Sequence, residues 1–250
     1  MDPGPGAYLS WGVRRMVGLL TWEPSKGRGH LEAVELGPLR ALGWTVFAPP
    51  GLSGRRLERR LRRGERALAR AGAGRVILPR DFPSKDKLQV LRPVDVFPFW
   101  RGAADVLALG ALDAESLPRS RGTVALSAPR LCPELEEAAR RLCPQVRGLL
   151  IDAPGGLDYA RYLQAKCGLP VTPPSAGADV TVAFGEGGGR WGRSVELYPG
   201  GSLSGLALKA PELELRSDCA DQVLALLWER GEIGRGALCC KRIDSTGAVG

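Results

Sequence analysis

TVALSAPRLCPELEEAARRLCPQVRGLLID, residues 123–152, is the stretch whose reading decides the fold. It opens on a short apolar run, Thr123–Leu126. A helix then starts at Pro133, a favoured first helical residue because its missing N–H needs no partner there. Glu134, Glu136 and Glu137 fill the first turn, where the helix dipole favours acids. Leu135, Ala138, Ala139 and Leu142 recur at helical spacing and supply one apolar face. A second run, Val146–Ile151, follows. Such runs, apolar along their length rather than alternating, suit strands covered on both faces, as in a parallel sheet.

Working outward, the same kind of run recurs at Met16–Leu20, Thr45–Ala48, Arg75–Leu78 and Asp179–Phe184. The intervals admit helices. Leu31, Val34, Leu39 and Leu42 mark one, kinked at Gly37–Pro38. Leu57, Leu61 and Leu68 mark the next, over Ser53–Ala71 with Ser53 as cap. Residues 94–113 predict a linking helix. Leu157–Lys166 predicts another, stopped at Gly168 and Pro170, and Asp218–Arg230 a last one.

Three strand–helix units, a linking helix and three more strands predict an α/β fold. The expected form is a doubly wound, mostly parallel sheet of order 3-2-1-4-5-6, which resembles the Rossmann superfold. Past Gly185–Gly192, the runs Val195–Tyr198 and Leu206–Leu208 predict a short antiparallel addition at the sheet edge. Residues 1–13 read as a loose extension, with Met16 as an alternative start. Residues 14–231 read as one domain with halves near 14–93 and 94–231, and residues 232–250 as a disordered tail.

The formal charge is +8, and 29 of the 35 basic residues are Arg. The chain has no Asn, and Ile is scarce beside Leu, Ala and Gly, as GC-rich coding would produce. Composition bias is therefore the first account of the charge, ahead of nucleic-acid binding. No apolar run approaches the roughly 20 residues that span a bilayer. A cytoplasmic location without membrane attachment is expected. The six Cys form no C-x-x-C pair and have one His to join them, so no metal site is expected.

In the expected topology strands one and four are neighbours, and the crevice between their C-terminal ends is the switch point where ligands bind. Ser25, Lys26, Gly27, Arg28 and Gly29 follow strand one, ahead of the segment read as a helix. Amides at a helix start together with two cations suit an anion. His30 is the weak candidate for acid–base chemistry, without an identifiable partner. Ser127 and Arg130 follow strand four, and Asp152 ends strand five where a ribose-binding acid would fall. The dinucleotide fingerprint fails, because Glu32 stands where Gly or Ala is needed and strand two ends in Ala48-Pro49-Pro50. No cofactor can be named.

Residues 55–70 carry Arg55, Arg56, Arg59, Arg60, Arg62, Arg63, Arg66 and Arg70, with Glu58 and Glu65 as helical neighbours for compensation. This reads first as a solvated face and only second as a nucleic-acid contact. The function expected is a non-catalytic or divergent binding or interaction module, with a protein or an anionic small molecule as partner. The alternative is an enzyme or binding protein for a nucleotide or other anionic metabolite at the switch point.

Overall fold

A computed structural model describes residues 16–52, 54–83, 85–168 and 176–243. The expected loose extension over 1–13, the Ser53 cap and Pro170 lie outside them. The chain is mixed α/β with mostly parallel strands, and it divides into two compact units. Among the described residues, the first holds those up to Val94 with Leu215–Cys219, and the second holds those of Asp95–Glu214 with those from Ala220 to Ile243.

In the first unit, β1 (Met16–Glu23) lies between β3 (Leu39–Phe47) and β4 (Ala73–Ile77), parallel to both. Two edge strands complete the sheet. β2 (Leu31–Leu36) is antiparallel to β3, and β5 (Arg92–Pro93) is parallel to β4. The order is β2-β3-β1-β4-β5. Helix α1 (Gly54–Arg70) packs on β3, β1 and β4. Its Leu61 and Leu68 join Leu20, Trp44, Val46 and Val76 in the core.

The second unit repeats this arrangement. β6 (Thr123–Ser127) lies between β7 (Gly148–Asp152) and β8 (Val180–Ala183), and β9 (Arg193–Glu196) adds beside β8, all parallel. The linking segment is α2 (Phe97–Gly102) and α3 (Ala104–Ala114), broken at Ala103. Helices α4 (Pro133–Leu142), α5 (Gly156–Cys167) and α6 (Ala220–Glu229) follow. A separate ribbon pairs β10 (Leu206–Lys209) antiparallel with β11 (Cys239–Arg242).

Several expectations are corrected. The order 3-2-1-4-5-6 within one sheet does not occur: the parallel strands run second-first-third-fourth in each of two sheets. The handedness rule fixes which way a crossover turns but not how many strands it passes. Here the crossover through α1 carries the chain from β3 past β1 to β4. Strands one and four, β1 and β6, therefore belong to different sheets. The helix expected over 31–42 is the β2–β3 hairpin. Gly37–Pro38 is its two-residue loop, with Leu36 facing Leu39 and Gly37 at φ 61°. Gly at positive φ in the first loop position is the II′ pattern, and Pro38 needs no donor there. The antiparallel addition is a ribbon of its own, not a sheet edge. The expected tail is structured as far as Ile243, with Arg235–Ala237 in a 3₁₀ turn and β11 packed on α3. Gly110 makes room for that approach, since a Cβ there would meet the Cys240 side chain at 2.3 Å.

Glu65 is fully buried and accepts three backbone N–H bonds at one oxygen, from Gln89, Val90 and Leu91 at 2.9–3.1 Å. The carboxylate holds the return segment that leads into β5. Glu65→Ala leaves three amides without their acceptor, and the buried one, at Leu91, alone costs about 1–3 kcal/mol. Urea unfolding is expected to show a loss of at least about 2 kcal/mol, with faster amide exchange confined first to residues 85–93.

Candidate functional site

Each unit has its own switch point, because the chain leaves the first strand toward opposite edges: between β1 and β4 in one, between β6 and β8 in the other. The loop after β1 runs over the end of β3 and enters β2. No helix follows it, so the helix-start amides expected to favour an anion are not there. Ser25 donates to Glu23 Oε1 at 2.7 Å. Lys26 and Arg28 are exposed. A Cβ at Gly27 would stand 2.5 Å from the Phe47 ring, and one at Gly29 2.5 Å from the Trp44 indole. These glycines let the loop lie against two aromatic rings of β3. His30 is 72% exposed at its side chain, and its Nε2 stands 3.9 Å from Glu32 Oε2.

In the second unit Ser127, at the end of β6, is fully buried. Its hydroxyl donates to Asp152 Oδ2, at the end of β7, at 3.1 Å. The same oxygen accepts the Gly189 N–H at 2.7 Å. Gly188 lies directly over Ser127, and a Cβ there would fall 1.6 Å from the serine Oγ. The Gly-rich segment expected as a turn is thus the return from β8 to β9. A parallel connection ordinarily takes a dozen or more residues and often a helix. Only nine residues, 184–192, separate these two strands. Gly187 and Gly192 adopt positive φ, and Gly192 leaves space for the Asp179 carbonyl, 1.9 Å from where a Cβ would be. Thr181 Oγ1 donates to the Trp191 carbonyl and accepts the Trp191 N–H, fixing the far end of the return.

Arg101 of α2 closes the rim. Its Nε donates to the Leu197 carbonyl and its Nη2 to the Phe184 carbonyl, both at 3.0 Å. Arg190 reaches Tyr198 Oη at 2.7 Å and Glu196 at 2.8 Å. Arg130 is exposed. Ser127 and Asp152 are brought together, whereas Ser25 through His30 lie in the first unit. Sequence reading missed Gly188, Gly189 and Arg101. The glycine density of 185–192 was the available signal for the first two, and nothing local marked Arg101.

Burial favours the neutral form of four of the thiols. Burial pushes Cys219 up to about 11 and Cys240 up to about 12. Burial, with the Cys167 thiol beside it, pushes Cys143 up to about 11. Burial also raises Cys132, the residue before α4. Among the described residues no group of three or more His, Cys, Asp or Glu is arranged to hold a metal ion.

No protein-family model matches the chain, and no curated protein matches it. Among solved structures it is similar to an L-tryptophan dehydrogenase from Nostoc punctiforme, at 15% identity and a TM-score of 0.30. The match covers 68% of this chain and 56% of the dehydrogenase, so the chain spans little more than half that protein's length. At that score the likeness carries no functional argument.

Gly188→Ala forces a methyl group onto the Ser127 hydroxyl and is expected to lose about 1–3 kcal/mol by overpacking. Adding Ser127→Gly removes the obstacle, so a double-mutant cycle is expected to show favourable coupling rather than additivity. Alkylation with iodoacetamide at pH 8 is expected to label exposed Cys167 first and Cys219 and Cys240 last. Exposure places Cys167 first, and burial that disfavours the reacting thiolate places Cys219 and Cys240 last.

Proposed function

We propose that this chain is a non-catalytic or divergent binding and interaction module. The observation that carries the reading is the engagement of Ser127 and Asp152 by the chain's own Gly188 and Gly189. A ribose-binding acid must offer its oxygens to a ligand. Asp152 Oδ2 instead accepts two internal hydrogen bonds, and a loop backbone lies over the serine. His30 is exposed beside one carboxylate, and the Ser25 hydroxyl of its loop donates to Glu23 rather than to the imidazole. On this reading the second unit's parallel sheet is a scaffold, and the partner contacts its surface. Helix α5 leaves Leu157 and Tyr162 exposed for a protein partner. No described helix is long and apolar enough to cross a membrane. The reading includes a cytoplasmic location, which fractionation of the native host would test.

The second reading is a protein that binds a nucleotide or other anionic metabolite in the first unit. Lys26 and Arg28 favour it, being exposed and without an acidic partner among the described residues. The two readings separate in a thermal-shift screen against nucleotides, dinucleotides, S-adenosylmethionine and sugar phosphates. A ligand present at a hundred times its Kd stabilises by about 2.7 kcal/mol, a readily measured shift. The module reading with a protein as its partner expects none. A shift abolished by Lys26→Ala with Arg28→Ala would establish the second reading, and one abolished by Asp152→Asn would overturn the first.

A further inference from the structure

Helix α1 carries a line of positive charge that the fold leaves uncompensated. Arg55, Arg56, Arg59, Arg63, Arg66 and Arg70 are all exposed. At about 100° per residue they fall within one sector of about 100°, and at 1.5 Å per residue they extend over about 22 Å of helix. The opposite side, with Leu61, Gly64 and Leu68, is buried against the sheet.

The two acids expected to balance this run are used elsewhere. Glu65 is turned into the core, where it holds the Gln89, Val90 and Leu91 amides. Glu58 pairs with Lys87 at 3.2 Å. None of the six arginines has an acidic partner among the described residues. Other arginines do: Arg119 with Asp113, Arg140 and Arg141 with Glu137, Arg193 with Glu115. Composition bias accounts for the abundance of Arg but not for this segregation.

We propose that the exposed face of α1 binds duplex nucleic acid through its phosphates, without reading bases. A rigid row of guanidinium groups matches a polyanion with closely spaced charges, and Arg engages phosphate oxygens bidentately. The buried apolar side excludes the usual membrane mode of a basic amphipathic helix, in which that side enters the lipid. The stripe contains no aromatic side chain on which unpaired bases would stack, which favours a duplex over a single strand. The proposal stands on the first unit and is independent of the switch-point reading.

The test is fluorescence anisotropy of the full chain with a 25-base-pair DNA duplex, an RNA duplex of equal length, and vesicles of phosphatidylcholine with phosphatidylserine. Duplex binding is expected at low salt. The slope of log K against log salt should be about −3 to −4, as for three to four phosphates neutralised. The triple variant Arg59→Gln, Arg63→Gln, Arg66→Gln should weaken binding at least about tenfold and reduce the slope by about 2. The corresponding triple Lys variant, which keeps the charges but not the bidentate fork, should keep the wild-type salt slope and lose less affinity than the Gln variant. DNA and RNA arms of equal strength mean recognition of phosphate alone, and either arm by itself supports the proposal with that duplex as partner. Absence of duplex binding at low salt overturns it. So does binding unchanged by the Gln variant, or binding to vesicles alone.

Discussion

A parallel strand can join a sheet edge only after the chain has returned to the end from which its neighbour started, and in both units a carboxylate holds that return. Glu65 gathers three amides ahead of β5. Asp152 takes the Gly189 amide ahead of β9. The two acids come from different places, one from a crossover helix and the other from a strand end, yet they meet the same need. A return segment has no ladder of its own, so its buried N–H groups require acceptors from outside. The fourth parallel strand of each sheet depends on that supply.

This solution changes what the strand ends can do. In an open parallel sheet the C-terminal ends present free amides and side chains to a ligand. In the second unit those positions are occupied by the chain itself. Ser127 and the Gly189 amide both engage Asp152 Oδ2 and Gly188 lies over the serine, with Arg101 capping the carbonyls at Phe184 and Leu197. In the first unit the glycines beside Lys26 and Arg28 are explained by aromatic rings beneath them. A glycine-rich loop at a strand end is therefore not by itself a phosphate cradle. The same composition results when backbone must pass close to a ring, a hydroxyl or another carbonyl.

How much of this was legible in the sequence depends on whether the determining contact is local. The α/β class and α4, with Pro133 at its start and acids in its first turn, were readable because period and capping are local signals. The hairpin at Leu31–Phe47 was missed because four leucine and valine positions fit helical spacing. The better clue was Gly37–Pro38, which a hairpin loop accommodates and a helix interior does not. Strand order was missed because the chain does not record how many strands a crossover passes. The structure of residues 235–243 was missed because Cys239–Cys240 gains its place from pairing with β10 and from the space left by Gly110, about 130 residues earlier, which no spacing rule reaches. Ser127 and Asp152 were both readable as strand-end residues, but their contact with each other was not. That Gly188 would fill the crevice is a tertiary fact.

The charge of α1 shows why composition and placement must be argued separately. A bias toward Arg codons raises the number of arginines everywhere, and a marginally stable domain tolerates them most easily where acids neutralise them. On α4 that balance holds, with Glu137 between Arg140 and Arg141. On α1 the acids were available at Glu58 and Glu65, but folding sends one into the core and the other to Lys87. The net repulsion of six exposed guanidinium groups is then a standing cost to the helix, since like charges three or four residues apart destabilise it. A buried carboxylate that holds the return to β5 cannot also neutralise the outer face. The inward turn of Glu65 therefore serves the fourth parallel strand of the first unit and, with Glu58 drawn to Lys87, leaves the outer face of α1 positive.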